Sequence, residues 1–376
     1  MPQDMPVPRS EARPRRRASR RRKHRTKSGR PNIRLAIGLV VAIAVLSVIF
    51  AARSQRPFSE PVSAVKTTYR ASLRLDGALG PRFAGDVVAM QNGLFGAAGI
   101  ALEIRQGGSQ ADPIALVENG VDTFGIAGAE KFLIARARGA PLVAFAAAST
   151  VSPVAFYSLA SAHIESPADF VGKRIGIAPG EDTAIAYKAM MQQMAVSRSE
   201  VREVPVSSGI AALLSGQVDV LPGHVGVESW ALERKGVEYN VLRPGTFGVH
   251  TVGSVYFATE ETVRNQPALV VAFLRSVIRG WDAVYADEDG TASRLATVFS
   301  SADPAEIRFE LDSERELQRP YGARFGDYDE TQWQSLQAFL VAQRLLRQPL
   351  DLSQAVSYDF IREAYRESRM ASETSR

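Results

Sequence analysis

The sequence contains no cysteine, so the chain has no disulfide, no thiolate metal site and no lipid-modified cysteine. Histidine is scarce too, because the four residues His24, His163, His224 and His250 are scattered along 376 positions. No Ser/His/Asp spacing, metal-ligand cluster or phosphate-binding glycine loop accompanies them. We therefore expect no cofactor and no metal, and a binding protein rather than an enzyme.

Acidic residues are nearly absent from residues 1–34, which carry 13 Lys and Arg against 2 Asp and Glu. The whole chain has 45 basic and 40 acidic residues, so setting this tail aside leaves a body of net charge −6. A nucleic-acid-binding domain would carry its positive charge on the fold. The balance argues against a nucleic-acid partner, and residues 1–34 are predicted to be a disordered basic tail.

Charged residues are missing from residues 35–52, which read LAIGLVVAIAVLSVIFAA. As a helix this segment spans about 27 Å, close to the hydrocarbon thickness of a bilayer. Positive charge beside a membrane helix stays on the cytoplasmic side. We predict one transmembrane helix in the cytoplasmic (inner) membrane, with the N-terminus inside, a linker at residues 53–66, and residues 67–376 in the periplasm or outside.

A cleaved signal peptide is the alternative interpretation of the same segment. Residues 62–64 (Val-Ser-Ala) form a small-residue cleavage site, but the apolar run exceeds the usual signal-peptide core of about 7–15 residues. A twin-arginine signal fits poorly, since no hydrophobic residue follows the arginine pair where it is expected. We favour the uncleaved anchor, with the lipid bilayer as a partner of residues 35–52.

Short apolar strands alternate with helical segments from residue 67 onward, which indicates a parallel sheet covered on both faces. The alternation restarts at residues 166–169, where a Ser N-cap, a Pro and an acid begin a helix. After a strand at 255–258 the pattern becomes helical, with helices predicted at 266–287, 291–299, 331–346 and 358–366.

Two segments of this region resemble each other, residues 114–122 and residues 210–219. In each, a short helix stops at Gly, an Asp follows, and a buried strand leads to a glycine-containing turn; the second strand is predicted at 218–221. The separation of about 96 positions predicts two α/β lobes of similar layout. Helix–Gly–strand units also recur in unrelated α/β proteins, which is the alternative.

Four stretches together resemble the periplasmic solute-binding proteins of ABC importers for nitrate, sulfonate, taurine and thiamine-pyrimidine precursors. They are residues 85–100 (GDVVAMQNGLFGAAGI), 107–122, 166–177 (SPADFVGKRIGI) and 213–219 (LLSGQVD). The resemblance extends over residues 67–365. It implies a two-lobed periplasmic-binding-protein-like fold, a small-molecule ligand in a cleft between the lobes, and an ABC permease as the membrane partner.

The resemblance also implies that the chain crosses twice between the lobes, near 151–157 and 251–256. Lobe one would comprise about 67–153 plus 256–376, and lobe two about 154–255. In open α/β sheets, ligands bind beyond the carboxyl ends of the strands. The loops after the predicted strands are rich in Gly and small polar residues and should converge on one cleft; they are residues 77–85, 107–109, 128–130, 179–183 and 223–228.

These loops supply the candidate ligand-binding residues, each with a structural alternative. Acids suit an amine or amidine group of a ligand, but an acid in a first helical turn is also favourable with the helix dipole. Thr183 could donate a hydrogen bond to a ligand or cap its helix. His224 could lie in the cleft or in a surface loop, and the Phe83 ring could stack on a planar ligand or belong to the core. Arg82 would meet an anionic ligand or solvent. The predicted set is Phe83, Gly108, Ser109, Gly128, Glu130, Glu181, Asp182, Thr183 and His224.

Departures from the family pattern bear on the ligand and on the activity. Relatives that bind thiamine pyrimidines have a Trp and a His where this chain has Gly77 and Phe83, so the pyrimidine assignment stays open, while the acids favour a cationic or amine-bearing ligand over a sulfonate. A related branch makes the pyrimidine with a cysteine-rich motif, a histidine and pyridoxal phosphate, and this chain lacks that motif. A ligand sensor that signals to a membrane partner is the third interpretation.

Overall fold

The computed structural model describes residues 69–108, 110–177, 182–207, 209–249, 252–299 and 303–374. The predicted tail (1–34), transmembrane helix (35–52) and linker (53–66) all lie outside these residues. None of the helices within the described ranges combines the length and the apolar character that a membrane span requires.

The first part of the described chain alternates strands with helices, as the sequence predicted. Asp112 begins one of the helices by accepting a hydrogen bond from Ile114 N (3.1 Å), which satisfies a free donor of the first turn. The elements are β1 (Tyr69–Arg74), α1 (Ala84–Gln91), α2 (Leu94–Ala97), β2 (Ile100–Arg105), α3 (Pro113–Glu118), β3 (Phe124–Gly128), α4 (Ala129–Ala137) and β4 (Leu142–Ala147).

The middle of the chain repeats this alternation after a short 3-10 turn at Pro167–Phe170, which Ser166 and Asp169 cap reciprocally. Its elements are β5 (Val154–Leu159), β6 (Arg174–Ile177), α5 (Asp182–Gln193), β7 (Arg202–Pro205), α6 (Ala211–Leu214), β8 (Leu221–His224), α7 (Val227–Glu233) and β9 (Tyr239–Leu242).

One strand and a series of helices complete the described chain. The helices are amphipathic, with buried residues such as Phe273, Trp281 and Trp333 facing the core. The elements are β10 (Ser254–Thr259), α8 (Glu260–Asn265), α9 (Pro267–Ala286), α10 (Glu288–Leu295), α11 (Pro304–Gln318), α12 (Glu330–Ala342), α13 (Leu352–Ala355) and α14 (Asp359–Thr374).

Two sheets of matching order result. The first has the order β2-β1-β3-β10-β4, with β10 antiparallel to both of its neighbours. In the second, β8-β5-β9 and the parallel pair β6-β7 are joined by a bridge between Ile175 and Val220. The combined order β7-β6-β8-β5-β9 therefore mirrors the first sheet. We call the parts built on the first and second sheets lobe one and lobe two.

The segment repeat noticed in the sequence has a common structure in the two lobes. Gly120 and Gly216 end α3 and α6 with φ of 69° and 68°, a left-handed conformation that glycine adopts without strain. An Asp two or three residues after each glycine binds an arginine of the strand that lies second in its sheet, Asp122 binding Arg74 of β1 and Asp219 binding Arg174 of β6. The predicted similarity of layout is confirmed.

The chain passes from lobe one to lobe two between Ala147 and Val154, and returns between Leu242 and Ser254. The two crossings lie side by side, since Ser254 N donates to Ser149 Oγ (2.9 Å) and Ala148 N donates to Ser254 O (2.8 Å). A Cβ on Gly253 would overlap Ser149 and the carbonyl of Val151, so this close approach requires glycine. The two connections between the lobes therefore lie together, and we call them the hinge segments.

Two sequence expectations about elements are wrong, and one helix was missed. The strand placed at 218–221 begins at Leu221 instead, because the sheet ladder starts there and includes Pro222 and Gly223, which were expected to form a turn. The helix placed at 291–299 is α10, which begins earlier because Asp287 caps it by accepting from Gly290 N. Helix α11 was not predicted at all.

Candidate functional site

The loops after β1 and β2 lie against each other at one edge of lobe one. Gly107 N donates to Gly77 O (2.9 Å), and a Cβ on Gly107 would overlap the carbonyl of Leu75. Arg82 forms an ion pair with Asp76 across the first loop. Gly108 lies exposed at a positive φ of 143°, and Ser109 lies outside the described residues. These loops thus form one wall beyond the strands.

Glu130 is the second residue of α4 and follows directly on the end of β3. It is 8% exposed, and its Oε1 is buried without a hydrogen-bond partner among the described residues. Burial, followed by the nearby charge of Asp182, raises the pKa of Glu130 to about 7. Gly128 permits this position, since a Cβ there would overlap the Glu130 carboxyl group. A buried carboxyl without a partner is costly and suits a ligand donor.

Lobe two presents Asp182, Thr183 and His224 at the corresponding edge. Asp182 and Thr183 begin α5, and His224 ends β8 with its carbonyl held by Tyr157 Oη (3.0 Å). Thr183 is 3% exposed, and its Oγ1 is buried with no partner in the described part of the chain. Glu181 lies outside the described residues. Lobe two therefore also directs an unpaired polar atom at its loop edge.

His224 Nε2 lies 3.0 Å from Asp182 Oδ2. Burial works against both charges, but the hydrogen bond and the mutual attraction prevail, so the pKa of Asp182 is lowered and the pKa of His224 is raised. Glu228 adds to the His224 shift and accepts a hydrogen bond from His224 N (2.8 Å). This pair carries opposite charges near neutral pH.

Carboxylates from both lobes influence one another electrostatically and mark a common site. Asp76, Glu130 and Asp182 interact across the lobes, while Glu314 of α11 interacts with Asp76, Arg82 and His224. Burial raises the pKa values of Glu310 and Glu314 to about 7. We call the following set the carboxylate cluster: Asp76, Glu130, Asp182, Glu228, Glu310 and Glu314. Its cationic neighbours are Arg82, Lys131 and His224.

Sequence reasoning missed the contribution of α11 to the site. The signal was present, because Asp303 and Pro304 form an N-cap and first helical residue, and Ile307 and Leu311 are spaced by four. The helix also contacts lobe two, where Phe309 packs against Trp230 with ring centroids 5.4 Å apart. Glu310 and Glu314 follow on the same helix, one turn apart.

Two predicted roles change on inspection of the structure. Phe83 is 2% exposed and packs in the core of lobe one, with the Arg82 guanidinium 4.6 Å from its ring centroid. Its ring therefore has no face for a ligand, and the stacking role is corrected to a core role. Arg82 is engaged with Asp76 rather than free for an anion. Within the described ranges, no group of three or more His, Asp and Glu has the geometry to hold a metal ion.

Two α/β lobes with sheets of matching order, joined by a paired crossing and presenting polar side chains at facing edges, define a periplasmic-binding-protein-like fold. A solved structure from Methylobacillus flagellatus, described as a putative sulfonate ABC transporter periplasmic sulfonate-binding protein, shares this fold. It aligns with a TM-score of 0.63 at 20% identity, covering 80% of this chain and 94% of that one. The predicted fold class is confirmed.

The family follows from the sequence comparisons. The family model described as NMT1/THI5 like matches residues 80–291, and the chain belongs to this family. A formylaminopyrimidine-binding protein of Halalkalibacterium halodurans is 25% identical over 281 residues, which span 72% of this chain and 84% of that protein. A 4-amino-5-hydroxymethyl-2-methylpyrimidine phosphate synthase of Legionella pneumophila is 26% identical over 223 residues, which span 58% of this chain and 70% of that protein.

Proposed function

We propose that this chain is the membrane-anchored, extracytoplasmic solute-binding component of an ABC importer, and that it captures a small polar solute carrying an amine or a nitrogen heterocycle. The observation that carries the proposal is the pair of buried atoms Glu130 Oε1 and Thr183 Oγ1, one from each lobe, which have no hydrogen-bond partner among the described residues. A ligand that bonds to both would satisfy them at once.

The charge of the site favours a ligand with a donor group or a positive charge. Among the described residues, the six carboxylates of the cluster have Arg82, Lys131 and His224 as cationic neighbours, and three of the six have pKa values raised to about 7. A cation among them would stabilise the ionised carboxylates by attraction. A sulfonate or nitrate would add like charge to the same space, so we do not assign an anionic ligand to this cleft.

Capture by lobe closure fits the contacts between the lobes. Arg234 of lobe two pairs with Asp303 (3.0 Å), and Gln343, which follows α12, bonds Gln192 of α5. These contacts, the Arg243–Glu316 pair and the packing of Phe309 on Trp230 would break for the lobes to separate about the paired crossings. A ligand that touches both lobes favours the closed arrangement by the difference in its contacts.

The anchor and the transport role rest on different support. The apolar segment 35–52 with its basic flank supports a single-pass anchor in the cytoplasmic membrane, with the lobes outside. The name of one structural relative, which describes an ABC transporter, supports a permease partner.

The likeness to a pyrimidine phosphate synthase favours an enzyme as the second candidate. This chain has no cysteine and so lacks the cysteine-rich motif expected of the enzymatic branch, which speaks against that candidate.

A thermal-shift titration of the purified chain tests the proposal. The probes are 4-amino-5-hydroxymethyl-2-methylpyrimidine, riboflavin, ethanesulfonate and nitrate. A ligand at a hundred times its Kd stabilises the native state by about 2.7 kcal/mol, which raises Tm. We expect the aminopyrimidine to do so, and Glu130→Gln to weaken it roughly tenfold through loss of a charge-assisted bond.

Glu200→Gln, an exposed change on lobe two, is the matched control and should leave the shift intact. Stabilisation by ethanesulfonate or nitrate alone would contradict the ligand class. Small-angle scattering of the ligand-bound chain should show compaction relative to an open, ligand-free form, and an unchanged radius with a saturating ligand would count against closure.

A further inference from the structure

A further cavity lies at the crossings between the lobes. Its volume is about 700 Å³, within the range of small-molecule sites. It is lined by the first crossing, by residues 243–249 of lobe two, and by the end of α11 with the turn that follows. It shares no residue with the carboxylate cluster. Both lobes therefore contribute to a second concave site, behind the hinge.

The charge of this cavity is opposite to that of the cleft. Three arginines line it, Arg243, Arg315 and Arg319, against one acid, Glu316. Arg243 is only loosely paired, since its nitrogens lie 3.4 and 3.5 Å from Glu316 Oε2, longer than the usual 2.7–2.9 Å of a charge-assisted bond. An anion could replace this contact at little cost.

Two buried polar atoms of the lining lack partners among the described residues. They are Nε of Arg319 and Oε1 of Gln332. The Arg319 guanidinium is held in place, because Nη2 donates to Asp282 (2.8 Å) and the group lies 4.9 Å from the Tyr285 ring centroid. A fixed donor that is buried without an acceptor is costly unless a ligand completes it.

Tyr321 stands at the rim of the same cavity. Its φ of 54° is a left-handed conformation that a bulky residue rarely adopts, and its side chain is fully exposed. Backbone strain of this kind persists where the surroundings impose it and clusters at ligand clamps. The walls below are apolar, with Val151, Val249 and Leu317 among them.

We propose that this hinge cavity is a second binding site, which takes a small organic anion with an apolar or aromatic body. The anionic group would bind Arg243 and Arg319, and the body would lie between the apolar wall and Tyr321. The two sites differ in their residues and in the charged groups that line them.

A fluorine NMR titration of the full chain tests this site. The probes are 4-fluorobenzenesulfonate, an aromatic anion, and 4-fluorobenzylamine, a cation of the same size at pH 7. We expect saturable broadening of the sulfonate signal, whereas any binding of the amine in the cleft should be unaffected by the cavity variants. The double variant Arg243→Gln/Arg319→Gln should weaken binding about tenfold, the loss of a bond to a charged group. Arg198→Gln, an arginine of lobe two outside the cavity, is the matched control.

A second variant guards against a loss of fold. Thr246→Glu adds a negative charge to the lining without removing a contact, and should also weaken the sulfonate while the melting temperature stays unchanged. Glu130→Gln should leave sulfonate binding intact, which separates this site from the cleft. The proposal is overturned if no saturable binding of the sulfonate occurs, if the cavity variants weaken binding of the cation as much as binding of the sulfonate, or if both cavity variants bind the sulfonate like the parent chain.

Discussion

The two lobes use one structural unit in two chemical states. In each, a glycine is the last or the last but one residue of a strand, Gly128 in β3 and Gly223 in β8, and a glutamate in the first turn of the next helix packs its carboxyl group against that glycine. Glu228 of lobe two accepts a hydrogen bond from His224 N (2.8 Å), whereas one oxygen of Glu130 in lobe one has no partner among the described residues. Within the described chain, the unit is satisfied in lobe two and open in lobe one.

The aspartate that precedes each of these strands also differs between the lobes. The sequence pattern around it is the same, but its burial is not. The Asp122 side chain is 0% exposed and bonds both Arg74 (2.7 Å) and Arg105 (2.9 Å). The Asp219 side chain is 26% exposed and bonds the backbone and side chain of Arg174. A common sequence pattern therefore does not fix how much each ion pair contributes to stability.

The largest expected effect separates the two aspartates. Asp122→Ala leaves two arginines beside a buried space, and breaking a buried pair costs about 3–5 kcal/mol of unfolding free energy. Asp219→Ala should cost on the order of 1 kcal/mol, because that pair is partly solvated. Urea unfolding of both variants measures the difference. Asp289→Ala, at an exposed residue, is the control, and equal losses at 122 and 219 would show that burial does not distinguish the lobes.

The second effect concerns Glu130 and its pKa of about 7. The native state keeps the proton up to about pH 7, while the unfolded state releases it near pH 4.5, so stability falls as pH rises between these values. Glu130→Gln removes this dependence. It should therefore be more stable than the parent at pH 8 by up to about 3 kcal/mol, and equal to it at pH 4.

Unfolding of the ligand-free chain in urea at the two pH values provides the measurement. Asp86, Glu310 and Glu314 also have pKa values raised to about 7. The stability of the parent chain and of the variant therefore both depend on pH, and only the difference between the two proteins reports on Glu130. A variant that is less stable than the parent at pH 8 would mean that Glu130 is satisfied in the native state.

Much of the fold was predictable, because periodicity and caps are local. The segments around β1 to β4, the capped turn at Ser166, and α9 were recognised within a few residues. Residues Glu130, Asp182, Thr183 and His224 were predicted from their place after strands, and the structure brings them together. Gly128 was predicted as well, and the absence of a Cβ there leaves room for the Glu130 carboxyl group.

What could not be predicted depends on tertiary contacts. Phe83 occupies a loop in the sequence, but its ring is drawn into the core of lobe one. Strand β8 contains Pro222, which lacks a donor, and the ladder with β5 forms nonetheless because the neighbouring residues pair. Helix α11 is rich in charged residues, and only its packing against both lobes gives Glu310 and Glu314 a place beside the cleft.

The smallest expected effect tests the repeated unit itself, by adding one methyl group at each glycine. In both lobes a Cβ would overlap the carboxyl group of the following glutamate, and neither glycine has a positive φ that alanine would strain. In Gly128→Ala the displaced Glu130 carboxyl has no bond from its Oε1 to lose. In Gly223→Ala the displaced Glu228 must leave His224 N, a bond to a charged group worth about 1.5–3 kcal/mol.

We therefore expect Gly223→Ala to lower the unfolding free energy by roughly 2 kcal/mol and Gly128→Ala by less than about 0.5 kcal/mol at pH 7. The double variant Gly223→Ala/Glu228→Ala completes a double-mutant cycle, because removing the Glu228 side chain removes both the overlap and the hydrogen bond. The double variant should then be no less stable than Glu228→Ala alone. If alanine is tolerated equally at both positions, Glu228 keeps its hydrogen bond by another rotamer, and the distinction between a satisfied and an open unit would no longer hold.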